Sequence, residues 1–135
     1  MNSLYGQARN AFLTGGIDWV ADDIRCILVD TGAYTVDIDV HDNLDDLPAG
    51  ARIATSAASL VNKSAVLGVA DADDLTFPLV SGTTVEALVL YLHTGVEGTS
   101  KLICFLDTAT GFTLTPSGGD VIIAWSNAAN KIFKL

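Results

Sequence analysis

Val85-Glu86-Ala87-Leu88-Val89-Leu90-Tyr91-Leu92-His93 is the stretch that decides how this chain folds. One parity carries Val85, Ala87, Val89 and Tyr91, and the other carries Leu88, Leu90 and Leu92. A strand with one wet face alternates apolar and polar residues, so a strand apolar at both parities must be covered on both faces. In a chain of 135 residues the second cover is expected from another subunit. Residues 101–107, 121–125 and 131–135 also have strand length, with turn-rich segments at 94–100 and 108–119 between them. The last fifty residues or so thus read as one long sheet with surplus apolar surface.

Upstream, residues 24–30 form an apolar, β-branched strand. Residues 34–40 alternate Val36, Ile38 and Val40 with Asp37 and Asp39, which predicts an edge strand or an extended loop. Residues 41–50 hold an acid cluster and Pro48 and read as a loop. Residues 52–60 form a weak strand, and 64–68 and 75–77 form short ones, the last halted by Pro78. At the start, Ser3 is placed to cap a short helix with Leu4, Ala8, Ala11 and Phe12 on one face and Gly15-Gly16 at its end. Such a helix either closes one end of the sandwich or reaches a neighbour. About seven or eight short strands with regular turns predict a mainly β fold, an antiparallel β-sandwich or barrel with a short N-terminal helix. The expectation is a single domain, residues 1–16 helical and 17–135 β-sandwich.

Charged residues make up only 17% and the mean hydropathy is +0.42. An ordinary soluble domain has about 25% charged residues. The longest apolar run, residues 87–92, is far short of the roughly 20 residues that span a bilayer. With no basic, apolar leader at the start, folding and assembly in a cytosol are expected. Sixteen acids against seven scattered bases give a net charge of −9. Nucleic-acid binding needs clustered cations, so direct contact with DNA is not expected. Nine aspartates crowd residues 18–46, read as a solvated face that keeps the chain soluble.

Enzymatic and metal motifs are missing from the pattern. His41 and His93 have no second histidine or cysteine at metal spacing. Cys26 and Cys104 lie within apolar strands, where a thiol behaves as a small hydrophobe; a disulfide needs neighbouring strands and an oxidising compartment. Asp37-Ile38-Asp39 and Asp71-Ala72-Asp73 open like calcium loops, but Asp42 and Thr76 stand where glycine is required. A looser carboxylate site at 42–46 stays open. Trp19 and Trp125 beside loop acids keep a sugar-binding or hydrolytic reading in view. No cofactor is expected.

Several segments resemble a group of small β-rich structural virion proteins of tailed bacteriophages. They are Phe12-Leu13-Thr14-Gly15-Gly16-Ile17-Asp18-Trp19, Leu44-Asp45-Asp46-Leu47-Pro48, Ala70-Asp71-Ala72-Asp73-Asp74-Leu75-Thr76-Phe77, Ala87-Leu88-Val89-Leu90-Tyr91 and Val121-Ile122-Ile123-Ala124-Trp125, in that order. The family commonly has Val, Ile or Ala at the positions of Cys26 and Cys104, which suits packing roles. The resemblance implies a non-enzymatic head decoration, or cement, protein on the outer capsid surface of the virion. Its partners would be the major capsid protein and itself, as a trimer. A tail or tail-fibre adaptor is the alternative. The residues expected to make contacts are Leu4, Tyr5 and Phe12 on the helix, Glu86, Leu88, Leu90 and Leu92 on one strand parity, and Ile132, Phe133 and Leu135 at the end.

Overall fold

The computed structural model describes residues 1–53 and 58–135. The apolar, β-branched segments pair first with each other. β2 (Ile24–Val29), β7 (Ala87–Leu92) and β8 (Leu102–Leu106) are the longest strands and sit side by side. β1 (Asn2–Leu4) and β3 (Ala58–Ser59) flank them, giving a five-stranded antiparallel sheet of order β1-β8-β7-β2-β3. β4 (Ser64–Val66), β5 (Val69–Asp71) and β10 (Phe133–Lys134) form a three-stranded sheet, and β6 (Leu75–Phe77) pairs with β9 (Val121–Ile123). The fold is mainly β and antiparallel with one short helix, as its strand pattern predicts. The described residues hold ten strands, more than the seven or eight expected. The four C-terminal segments do not share one sheet: β7 and β8 are central, while β9 and β10 belong to the two smaller sheets.

Two boundaries differ from the sequence reading, and the open alternative at residues 34–40 is decided, each for an identifiable reason. Ser3 does not cap the helix, because Asn2–Leu4 pairs with β8, Asn2 opposite Leu106 and Leu4 opposite Cys104. The helix α1 (Gly6–Thr14) therefore starts after Tyr5 and packs against β8; Gly15, in a left-handed conformation, ends it. Residues 34–40 are loop and turns, not a strand, since Asp37 accepts the amides of Asp39 and Val40. The strand expected at 52–60 lies partly outside the described residues; within them, Ala58–Ser59 is β3 and Arg52 bridges Val29.

Both faces of the central strand are covered by this chain itself. Registry puts Leu88, Leu90 and Leu92 on one face with Leu28, Cys26, Ile24, Leu106 and Cys104. The two small sheets and Ile132 lie over that face, and the covering Val121, Ile132 and Phe77 are buried. The opposite face carries Val89, Ile27, Val29 and Phe105. Residues 30–53 cross it twice. The chain leaves β2, stacks Tyr34 near Phe105 with ring centroids 6.4 Å apart, and reaches the far edge. There the amide of Gly6 donates to Ile38 O, and that of Leu102 to Asp42 O. It returns through 3-10 turns at Leu44–Asp46 and Ala49–Ala51 to rejoin β2, where the amide of Ile53 donates to Leu28 O. The expected second subunit is not needed for this strand. A polar-looking loop supplies the missing cover through Tyr34, Leu44, Leu47 and Ala51, all buried.

Candidate interaction surface

The residues expected to make contacts scatter between core and surface. Leu88 and Leu90 are buried in their own chain, as are Leu4, Tyr5 and Ile132, so none of the five lies on the open outer surface, although Leu88 and Ile132 reach the floor of a cleft. The correction has one cause: each lies under a cover that the chain folds back over it. Tyr5 is further held by a 3.0 Å hydrogen bond between its hydroxyl and that of Tyr34, itself 2.9 Å from His41 Nδ1. Burial pushes the Tyr5 hydroxyl far above its ordinary range. Phe12, Leu92 and Phe133 are half-buried; Phe133 packs between Phe12 and Trp19, at centroid distances of 5.9 and 5.2 Å. Glu86 is spent locally, accepting from the Thr31 amide and the Thr84 hydroxyl. Leu135 alone of the set is well exposed, at 57%.

Leu135 marks a patch that residue pattern did not reveal. β4 and β5 form a tight hairpin, Val66 opposite Val69, turned by Leu67 and Gly68 with φ of 51° and 80°. A two-residue hairpin turn with both φ positive is normally Asn-Gly or Gly-Gly, and a left-handed leucine costs roughly 1–2 kcal/mol. Gly68 is required, since a Cβ there would sit 3.1 Å from Leu135 O. The Leu135 amide donates to Gly68 O at 2.9 Å and fixes the end of β10 beside the turn. Leu67 is 90% exposed and Val66 64%. All three residues of β4 are exposed, so this strand stands off the body with an unpaired edge. Leu67 combines unfavourable backbone, high exposure and an apolar side chain, a combination that folding by itself does not reward.

A second feature is a cleft of about 810 Å³. Residues 120–126 form one wall, with the unpaired edge of β9 and the exposed Ile122. Residues 108–112 and Leu114 form the other wall, and Leu88, Leu106 and Ile132 line the interior. Leu79, also exposed and left-handed at φ 52°, donates its amide to Asp120 at the rim.

Cys26 and Cys104 are fully buried free thiols that pair with Leu90 from the strands on either side, and burial pushes both well above the usual thiol range. Among the described residues, no group of three or more His, Cys, Asp or Glu side chains is placed to hold a metal ion. The acids act instead on the backbone. Asp18 accepts the amides of Val20 and Ala21, Asp46 those of Asp42 and Asn43, Asp30 that of Gly32, and Asp74 that of Trp125. Trp19 is only 5% exposed, and its indole donates to Asp71 O, so it offers no open ring face to a sugar. The Trp125 indole donates to Asp73 O. No helix is long and apolar enough to cross a membrane among the described residues. No protein-family model matches the chain, and no curated protein matches it at a significant level.

Proposed function

We propose that this protein is a structural component of a tailed-phage virion, a capsid decoration (cement) protein that binds the outer head lattice and stabilises it against the pressure of packaged DNA. The observation that carries the reading is the apolar hairpin tip, where the exposed Val66, Leu67 and Leu135 gather on a molecule of net charge −9. Its context is the ordered set of segments that resemble those of small β-rich virion proteins. A net charge of −9 suits a surface turned away from packaged DNA. The work is mechanical. A rigid sandwich bridging two shell subunits removes surface from water at each junction, about 1,200–2,000 Å² for a standard interface. Repeated around the head, modest contacts add through avidity. The partners are the major capsid protein and further copies of this chain, in a trimer.

The test is rebinding. Purified protein mixed with expanded, undecorated heads is expected to co-sediment with them and to give density on the outer lattice by cryo-EM. Heads that stay bare would overturn the reading. Labelling of tails in place of heads would overturn it in favour of an adaptor that uses the same β surface in rings.

A further inference from the structure

We infer that copies of this chain join head to tail, the β4–β5 hairpin of one copy seating in the cleft beside β9 of the next. The inference rests on the structural role proposed above and names the contact that builds the oligomer.

Four observations converge on this pair of surfaces. The first is complementary backbone. β4 and β9 each have three residues and, among the described residues, one edge with no strand beside it, so antiparallel or parallel addition would satisfy both rows of amides and carbonyls. The second is apolar matching. Val66 and Leu67 need cover, and the cleft offers Ile122 at its edge with Leu106 and Ile132 within. Its volume lies in the range of roughly 300–1,000 Å³ typical of binding pockets. The third is the leucine at a turn position that favours asparagine or glycine. A leucine there has a use in burial that the isolated chain does not provide.

The fourth is charge. Sixteen acids repel one copy from another, yet none falls between Asp46 and Asp71, and none follows Asp120. The hairpin lies in the first acid-free stretch up to Asp71 at the end of β5, and the β9 wall lies in the second beyond Asp120 at the rim. Lys63 lies at the hairpin base, and the cleft lining carries both Asp120 and Lys131. With few acids on either surface, hairpin and cleft meet with little like-charge repulsion. Because the two surfaces differ, the contact is heterologous, and a closing rotation produces a ring.

Crosslinking of mixed variants tests this, since Cys26 and Cys104 are fully buried and leave introduced thiols as the reactive ones. Leu67→Cys and Ile122→Cys are made in separate preparations, mixed, and treated with a short bis-maleimide, both free in solution and on rebound heads. The mixture is expected to give covalent dimers at least tenfold above either variant alone. Crosslinking of Leu67→Cys with itself would overturn the inference, because it reports tip-to-tip contact. Absence of the mixed product both in solution and on heads would also overturn it. Leu67→Gly, which suits the turn and leaves the fold intact, is expected to weaken self-association at least tenfold by analytical ultracentrifugation; unchanged association would count against the contact. Rebinding to heads without the mixed crosslink sinks only the hairpin contact. A mixed crosslink in protein that ignores heads sinks only the virion role.

Discussion

Removing the side chain of Arg52 should loosen the loop that covers one face of the central sheet. Arg52 Nε and Nη2 donate to Leu47 O at 3.0 and 2.7 Å, and Nη2 also donates to Leu44 O at 2.8 Å. Nη1 meets Glu97, whose side chain is more than half exposed. Leu44 O keeps a second donor, the Leu47 amide, so its loss is small. Leu47 O has no backbone donor among the described residues and would be left part-buried and unpaired. A hydrogen bond from a charged donor is worth about 1.5–3 kcal/mol, and an orphaned buried acceptor costs about 1–3 kcal/mol. These describe the same loss from two sides, so Arg52→Ala should cost about 2–3 kcal/mol. For a chain of this size that is a fall in Tm of roughly 6–15 °C. Glu97→Gln should cost under about 1 kcal/mol, as exposed ion pairs do. Urea melts with matched m-values measure both. If Arg52→Ala unfolds within about 0.5 kcal/mol of wild type, or if Glu97→Gln matches it, the guanidinium does not pin the loop and the reasoning fails.

Leu90→Ala should destabilise the fold by about 2–5 kcal/mol, because Leu90 is wholly buried between Cys26 and Cys104; a urea midpoint close to wild type would place this strand parity at the surface. Stability should be flat from neutral pH to about 5 and fall below about 4. Hydrogen bonds from Arg25 to Asp23, from Thr83 to Asp30, from the Asp42 amide to Asp46 and from Arg52 to Glu97 hold these carboxyls below the usual range. The unfolded chain therefore binds protons first, and the contribution is lost as pH drops through the folded values; chemical melts at pH 7, 5 and 3.5 check the trend. Both thiols should react with Ellman's reagent only as fast as the protein unfolds, and rapid labelling of the native protein would contradict their burial.

The central hydrophobic strands were legible because burial on both faces writes itself into both parities, as at Val89 and Leu90. The helix stop at Gly15 and the strand stop at Pro78 were legible as local chemistry. β1 and β5 were not. Asn2-Ser3-Leu4 and Val69-Ala70-Asp71 are three-residue segments with no period to detect, and each is a strand only because a partner lies beside it. The candidate surface was legible only at Leu135. Nothing in Ser64-Ala65-Val66-Leu67 separates a buried strand from an exposed one, since that depends on what the rest of the chain leaves uncovered.

Local composition thus determined the class: antiparallel, β-rich and acidic, with apolar strands that must be hidden. Tertiary structure decided who hides them. The aspartate-rich segment 30–53 reads as a solvated loop, yet its backbone amides are satisfied by its own carboxylates and by strand edges. That frees Tyr34, Leu44 and Leu47 to lie across the sheet. Apolar surplus consequently moved from the central strand, where the residue pattern put it, to a hairpin tip that only the folded chain exposes. Burial is a property of three-dimensional neighbours, and a linear pattern records which residues need cover without recording what provides it.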